Sequence, residues 1–181
     1  MADPATGIPL RFQTCSFDNF DLSRNPLMGR ALTACRQLVD GARAFVFLSG
    51  GTGLGKTHLL TATVMEWRRQ GAPSWFWEAP ELMAHLRGTF ERHKRDPESP
   101  DLDAEVHSLQ GAGVLLGLDD FATQNETPWV NEQVYRILNA RYTAMAPTIV
   151  TSNVSPGEID ERIRSRFREG LVACEGRDVR G

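Results

Sequence analysis

Short apolar runs alternate along this chain with longer stretches in which apolar residues recur every three or four positions. The apolar runs predict five strands, at residues 44–49, 74–79, 113–118, 148–151 and 171–174. The longer stretches predict helices at residues 27–40, 56–70, 80–93, 102–109, 129–143 and 158–167. Strands that alternate with helices are typical of a parallel sheet with helices on both faces. We therefore predict an α/β fold with a five-stranded parallel sheet.

The first 26 residues follow neither pattern. They contain three prolines and three phenylalanines, and this composition is typical of irregular chain. We interpret residues 1–26 as an N-terminal arm that lies on the domain. The remaining residues, 27–181, have the length of a single domain with its own core. Within them a turn-rich segment, 121–128, separates the third strand from the fifth helix.

Composition and charge narrow the class of protein. The net charge of −3 gives no overall attraction to nucleic acid, so any such contact needs a local basic patch. Cys15, Cys35 and Cys174 are widely separated and odd in number, which favours reduced thiols over a disulfide framework or a zinc site. No apolar run reaches membrane-spanning length and the polar N-terminus is not a secretory signal, so we expect a cytoplasmic protein.

A glycine-rich segment between the first strand and the second helix carries the clearest chemistry. Residues 50–57 read Gly-Gly-Thr-Gly-Leu-Gly-Lys-Thr, which fits the phosphate-binding pattern of Gly, four residues and Gly-Lys-Ser/Thr. Glycines let successive N–H groups converge on an anion at a helix N-terminus. Lys56 would reach the β and γ phosphates, and the Thr57 hydroxyl would bind Mg²⁺. We therefore predict that Gly50, Gly51, Thr52, Gly53, Leu54, Gly55, Lys56 and Thr57 bind the phosphates of a nucleotide with its Mg²⁺. The loop alone does not separate ATPases, GTPases and small-molecule kinases.

Polar residues end the third and fourth strands. Asp119 follows a run that reads as a strand buried on both faces, and it is a candidate Mg²⁺ ligand. Asp120 is a candidate for orienting or deprotonating the attacking water. It is shorter than a glutamate by about 1.5 Å, so either the water must lie closer or hydrolysis is slow. Asn153, after the fourth strand, is expected between the phosphate loop and Asp119, where it would contact the γ-phosphate or the water.

Four arginines alternate near the end of the chain, from Arg162 to Arg168. On a helix Arg162 and Arg166 share a face, because they are four residues apart. An arginine that enters a neighbouring subunit's site accelerates phosphoryl transfer by about 10³ to 10⁵. The alternative is a basic surface helix paired with the acidic residues at 158, 160 and 161, and the sequence leaves both open.

Taken in order, these segments resemble the bacterial helicase loaders of the DnaC/DnaI type and the related IstB-type transposition ATPases, within the AAA+ initiator clade. The resemblance covers about residues 12–181. Its carriers are Phe17-Asp-Asn-Phe20, the phosphate loop with His58-Leu59-Leu60, Leu116-Gly-Leu-Asp119-Asp120-Phe121, Trp129 through Arg141-Tyr142, Thr148 through Asn153, Ser165-Arg166-Phe167 and Arg177-Asp178-Val179-Arg180.

The resemblance implies an AAA+ type of P-loop NTPase with ATP and Mg²⁺ bound by the loop and His58, and a second motif of Asp119 and Asp120. It implies Asn153 as the first sensor, Arg166 as a finger into a neighbouring subunit and Arg162 as its support. The predicted helices between the second and third strands look like the family insertion that lines a groove for single-stranded DNA. The basic residues there are Arg87, Arg92, Lys94 and Arg95.

The implied partners are a replicative helicase, single-stranded DNA and further copies of the chain joined through the ATP site, with no membrane. Two features depart from the family. First, loaders of this type usually carry a separate N-terminal domain that binds the helicase, whereas this sequence has only a short arm. Second, the chain ends at Gly181, which leaves no room for a helical lid.

Three other functions stay open at this point. One is an IstB-like transposition ATPase, and another is an adaptor that binds ATP but hardly hydrolyses it. The third is a small-molecule kinase, which would require an arginine-rich lid that the sequence does not contain.

Overall fold

The apolar runs form one sheet in a computed structural model that describes residues 7–121, 128–176 and 178. The strands are β1 (Phe45–Ser49), β2 (Ser74–Glu78), β3 (Leu115–Asp119), β4 (Thr148–Ser152) and β5 (Leu171–Ala173). Their order is β2-β3-β4-β1-β5, and every neighbouring pair is parallel. The predicted α/β fold with a five-stranded parallel sheet is confirmed. β4 lies between β3 and β1, so the ends of these three strands are adjacent.

Helices cover both faces of the sheet. They are α1 (Gly29–Val39), α2 (Lys56–Arg69), α3 (Ala79–Arg95), α4 (Leu102–Ser108), α5 (Pro128–Thr143) and α6 (Glu161–Arg166). Strand β1 illustrates the layering, because its side chains alternate between two apolar clusters. Phe45 and Phe47 pack in the cluster with α3 to α6, whereas Val46 and Leu48 pack in the cluster with α1, α2 and the arm.

Some predicted boundaries were wrong by a few residues. The third strand begins at Leu115 rather than 113 and extends to Asp119. The predicted helix 158–167 is divided into a 3-10 turn, Pro156–Glu158, and the shorter α6. The cause of the division is the side chain of Asp160, which accepts a hydrogen bond from the backbone N–H of Arg162 at 2.8 Å and so starts a new helix there.

A buried arginine on α5, Arg141, holds the segments that lead from α4 to β3 and from α5 to β4. Arg141 on α5 is fully buried, and its guanidinium donates to the Thr148 hydroxyl and to backbone carbonyl oxygens. The carbonyls belong to Leu109, Gly111, Val114 and Pro147, at 2.6 to 3.2 Å. Burial lowers the pKa of Arg141 to about 10, so the side chain keeps its charge at neutral pH. One side chain thereby satisfies four carbonyls of two loops.

The described part of the arm lies against α1 and α2. Ile8 is completely buried, and three phenylalanines of the arm pack on the same apolar cluster, namely Phe12, Phe17 and Phe20. Farther along, the amide of Asn25 donates to the carbonyl of Glu175 at 3.1 Å, which joins the arm to the segment after β5.

Two predictions concern residues outside the described ones. These are most of the turn-rich segment, at 122–127, and the terminal positions Arg177, Val179 and Arg180. In the described ranges no helical lid follows β5. None of the described helices is both long and apolar enough to cross a membrane.

Candidate nucleotide-binding site

The glycine-rich loop occupies the turn from β1 to α2. Gly53 and Gly55 have φ of 73° and 95°, in the left-handed region that favours glycine. Gly55 also lacks the Cβ that would collide with the ring of Phe20, so the arm packs closely on the loop. Since α2 begins at Lys56, the unpaired N–H groups of its first turn lie at the loop. This arrangement fits a bound phosphate chain.

Lys56 is nearly fully buried beside the loop. Its ammonium group donates to the carbonyl oxygens of Gly50 at 2.7 Å and Gly51 at 2.5 Å, and to Oδ1 of Asn153 at 2.9 Å. The cation is therefore held between the phosphate loop and the end of β4. A positive charge at this place is suited to a phosphate that lies on the loop.

Asp119 and Thr57 lie together at the end of β3. The Thr57 hydroxyl donates to Oδ1 of Asp119 at 3.1 Å, and the Thr151 hydroxyl donates to the same oxygen at 2.6 Å. Burial raises the pKa of Asp119, although the two hydroxyl hydrogen bonds oppose that effect. A carboxylate and a hydroxyl in contact are oxygen ligands of the kind that Mg²⁺ prefers. These residues fit the expected metal.

Asp120 and Asn153 also meet at this edge of the sheet. Asp120 has a φ of 54°, uncommon for a residue with a side chain, and its backbone N–H donates to the Thr151 hydroxyl at 3.0 Å. The amide nitrogen of Asn153 donates to Oδ1 of Asp120. The strand order brings Asn153 between the loop and the acidic pair, because β4 separates β1 from β3.

The phosphate loop and the polar residues at the ends of β3 and β4 line one cavity of about 510 Å³. It is lined by the loop from Thr52 to His58, by Asp119, Asp120 and Asn153, and by four residues that the sequence reasoning did not select, Arg11, Phe12, Glu78 and Thr151. A somewhat larger cleft, about 640 Å³, lies between the arm and α1 and α2. That cleft contains none of the phosphate-loop residues, so size alone does not locate the site.

Glu78 adds a third carboxylate to the cavity. It ends β2 and pairs in register with Asp119 on β3. Partial burial and the nearby negative charges of Glu81, Asp119 and Asp120 raise its pKa, whereas Arg11 opposes the shift. The rule that ligands collect at the carboxyl ends of parallel strands would have found Glu78 once β2 was known to neighbour β3.

His58 lies at the boundary between the cavity and the arm. Its Nε2 is 2.9 Å from the carbonyl oxygen of Ser16, and its ring contacts the ring of Phe20 edge to face, with centroids 5.2 Å apart. The structure thus gives His58 contacts to the arm, in addition to its place in the cavity wall.

The structure does not bring Arg162 and Arg166 into this cavity. Arg166 donates to Oδ1 of Asn139 at 2.8 Å and lies 3.5 Å from the hydroxyl of Tyr135, both on α5. Arg162 lies over the Tyr135 ring and pairs with Glu132 at 3.5 Å and Asp160 at 3.4 Å. The two arginines therefore share a face that packs toward α5, away from the phosphate loop of their own chain.

The four basic residues selected for nucleic acid are exposed on α3. Arg87 and Lys94 are seven residues apart and lie on one side of the helix, whereas Arg92 points about 140° away. Lys94 is 4.2 Å from the centre of the Phe90 ring and 3.5 Å from Glu91. The structure thus spreads the positive charge around α3, and Arg95 lies between the two directions.

Comparison with known proteins agrees with this geometry. The family model described as the bacterial DnaA ATPase domain matches residues 13–174. The chain is 31% identical over 166 residues to the chromosomal replication initiator DnaA of Zymomonas mobilis, covering 87% of this chain and 32% of that protein. It is 27% identical over 172 residues to the replicative helicase loader DnaC of Escherichia coli, covering 91% and 67%.

Solved structures show the same fold. A crystal structure of the DnaC helicase loader superposes with a TM-score of 0.75 at 22% identity, covering 92% of this chain and all of that one. A replication initiator DnaA bound to AMPPCP and single-stranded DNA gives 0.72 at 22% identity, covering 90% and 50%. Of the first curated relatives it matches, the chain spans about half the length of one and about a third of the length of another.

The match to the family model extends over most of the chain and includes the phosphate loop, the acidic pair and Asn153. The predicted resemblance to DnaC-like AAA+ proteins is therefore confirmed, with the initiator DnaA as a further relative. This chain belongs to the family of bacterial DnaA ATPase domains, and it is a DnaA/DnaC-like AAA+ ATPase.

Proposed function

We propose that this chain binds and hydrolyses ATP and acts in DNA replication in the manner of a helicase loader. The observation that carries the proposal is the meeting of Lys56, Asp119, Asp120 and Asn153 around the phosphate loop, in one cavity. The protein would work in the cytoplasm, where ATP would govern its assembly on a replicative helicase, on single-stranded DNA, or on both.

Each group in the cavity has a distinct part in this chemistry. The loop and Lys56 hold the phosphates, while Thr57 and Asp119 hold Mg²⁺, which when bound neutralises the negative charge that develops on the transferred phosphoryl group. Asp120 orients the attacking water and accepts its proton. Asn153 contacts Lys56 and Asp120 together, so it is placed to link phosphate binding to the position of the water.

Arg166 is proposed to complete the site of a neighbouring copy. It lies outside the cavity of its own chain, and Asn139 and Tyr135 hold its guanidinium in place. Arg162 supports the same face through Tyr135. A homo-oligomer joined through its ATP sites would bring this face to the nucleotide of the next subunit, where a guanidinium accelerates phosphoryl transfer.

The proposed partners follow from the relatives and from α3. One relative is named a replicative helicase loader, and one similar structure is titled as bound to single-stranded DNA. On α3, Arg87, Arg92, Lys94 and Arg95 are exposed and Phe90 presents an aromatic ring beside Lys94. Basic groups beside an aromatic ring are the usual components of a single-strand binding surface.

A nucleotide-switched adaptor with little hydrolysis is the second candidate, and an IstB-like transposition helper is a variant of the first. The adaptor is favoured by one observation, since Asp120 is a short side chain that Asn153 already engages. Measuring ATP turnover with and without single-stranded DNA separates the adaptor from the hydrolase.

The decisive test is nucleotide binding. We expect the chain to bind a fluorescent ATP analogue in the presence of Mg²⁺, and we expect Lys56→Ala to abolish binding because it removes the cation at the loop. Arg69→Ala serves as a control, since Arg69 is an exposed cation at the far end of the same helix. Wild-type affinity in Lys56→Ala would refute the site.

The partner is tested separately by co-purification. The chain is mixed with the replicative helicase of its own organism in the presence of ATP or ADP. A complex that forms with one nucleotide and not with the other supports the loader function. Retention of neither helicase nor single-stranded DNA in any nucleotide state would contradict it while leaving the ATP site intact.

A further inference from the structure

The hydroxyl group of Thr151 lies between the two acidic residues of the site. Thr151 is buried near the end of β4, and its side chain contacts β3 at the wall of the cavity. Its Oγ1 donates to Oδ1 of Asp119 at 2.6 Å and accepts from the backbone N–H of Asp120 at 3.0 Å. Its own backbone carbonyl accepts from the N–H of Phe121 at 2.8 Å. One residue thus contacts three consecutive residues at the end of β3.

These contacts fix two different features of the acidic pair. The hydrogen bond that Thr151 donates holds the Asp119 carboxylate in one orientation, beside Thr57. The hydrogen bond that it accepts holds the backbone of Asp120 where its φ is 54°. That left-handed conformation is unfavourable for a residue with a Cβ and persists only when its surroundings enforce it. It accompanies the contact of Asp120 with Asn153.

The position of the Thr151 side chain requires a group that both donates and accepts a hydrogen bond, and a hydroxyl group meets this requirement. It is a donor and an acceptor in one atom, and it suits a carboxylate on one side and a backbone N–H on the other. A side chain of the same shape without the oxygen would leave the Asp120 N–H without that acceptor and the carboxylate of Asp119 with one donor fewer. Serine retains the oxygen and loses only the methyl group.

We propose that Thr151 is the positioning residue of the metal and water site: its hydroxyl orients Asp119 toward Mg²⁺ and sets the backbone of Asp120 that aims the water-orienting carboxylate. The inference rests on the proposed ATPase function. Thr151 acts through the two aspartates, and the loop and Lys56 hold the phosphates independently of it.

The test compares Thr151→Val with Thr151→Ser. In Thr151→Val we expect nucleotide binding in EDTA to match the wild type, because the loop is unchanged. The Mg²⁺ concentration for half-maximal tightening of nucleotide binding should rise by about 10- to 100-fold, the usual cost of removing a group that orients a metal ligand. The kcat for ATP should fall even at saturating Mg²⁺, whereas Thr151→Ser should stay near the wild type in both measurements.

Thr63→Val is the matched control. Thr63 is a buried threonine on α2 whose hydroxyl donates to the Leu59 carbonyl of its own helix at 2.7 Å, and it does not line the cavity. We expect its Mg²⁺ response to be that of the wild type. Thermal melts check that the variants are folded. If Thr151→Val melts below the assay temperature, Thr151→Ala removes the same hydroxyl with a smaller side chain and is measured instead.

The outcomes separate the inference from the function on which it rests. A wild-type Mg²⁺ response in a folded variant without the hydroxyl would overturn the positioning role alone. A defect in Thr151→Ser as large as that in Thr151→Val would also overturn it, because packing of the methyl group would then be responsible. A wild-type chain that binds no nucleotide would overturn the proposed function and this inference together.

Discussion

The side-chain amide of Asn153 joins the ammonium group of Lys56 to the carboxylate of Asp120. Its oxygen accepts from Lys56 at 2.9 Å, and its nitrogen donates to Asp120. The group expected to contact the phosphates and the group expected to hold the water are therefore two hydrogen bonds apart. A change in the contacts of Lys56 with the phosphates would therefore reach Asp120 through Asn153.

Asn153→Ala removes the side chain that links Lys56 to Asp120, so we expect different effects on nucleotide binding and on ATP turnover. We expect nucleotide binding to remain close to wild type, because Lys56 keeps its contacts with the carbonyls of Gly50 and Gly51. ATP turnover should fall by about 10²-fold, the usual effect of losing one positioned polar group at a reacting centre. Equilibrium binding and steady-state turnover measure the two effects. Asn131→Ala, on α5 and outside the cavity, is the control, and an equal loss of binding would contradict the assigned role.

Arg166→Ala should leave nucleotide binding intact and abolish turnover or assembly. The sharper measurement mixes this variant with Lys56→Ala. An intact site in one variant would then meet an intact Arg166 from the other, so turnover should partly return. Arg164→Ala, on the same helix, is expected to behave as wild type. Full turnover by Arg166→Ala alone would show that the residue has no part in the reaction.

Arg141→Met is expected to destabilise the fold strongly. The substitution keeps a long side chain but leaves the carbonyls of Leu109, Gly111 and Val114 without this donor, whereas the Pro147 carbonyl still accepts from the backbone N–H of Leu116 at 3.0 Å. With about 1–3 kcal/mol for each buried polar group left unpaired, the free energy of unfolding should fall by at least about 3 kcal/mol. Denaturant titration measures the loss. Arg136→Met, a partly exposed arginine of the same helix paired with Asp103, should cost under about 1 kcal/mol.

Glu78→Gln should change the pH dependence of stability in the absence of nucleotide and Mg²⁺. The pKa of Glu78 is raised in the folded protein, so its contribution to stability is full below the ordinary value of 4.5 and is lost as the pH rises through the folded value. The variant should therefore have the higher Tm at pH 7, and the difference should shrink toward pH 4.5. Glu98→Gln, at an exposed glutamate outside the cavity, is the control. A Tm difference that does not vary with pH would contradict this electrostatic origin.

The phosphate loop, Asp119 and Asn153 could be predicted from the sequence because each combines a local motif with a place at the end of an apolar run. Lys56 and Thr57 belong to one short pattern, and the meeting of Asp119 with Asn153 needs only neighbouring parallel strands. The strand order that makes β3 and β4 neighbours is a long-range property that no local pattern contains.

The sequence analysis missed the residues whose role in the site depends on the strand order, because no local pattern contains that order. Glu78 belongs to no motif, and Thr151 belongs to a segment of the resemblance that assigns it no role of its own. Each acquires a place in the site only through its neighbour strand. Arg141 was missed for a different reason, because a cation within an amphipathic helix is usually exposed. Its burial depends on carbonyls contributed by two loops, one of them about 30 residues away in the sequence.

The pairing of β4 with β1 runs from Phe45 opposite Thr148 to Ser49 opposite Ser152. Sliding one strand past the other by a single position would turn Thr151 toward the opposite face of the sheet. Most backbone hydrogen bonds would form again in that shifted ladder and the circular dichroism spectrum would change little, but the Thr151 hydroxyl would no longer contact Asp119, a proposed Mg²⁺ ligand. The proposed placement of Mg²⁺ therefore depends on the register of one pair of parallel strands, a property that the circular dichroism spectrum does not report.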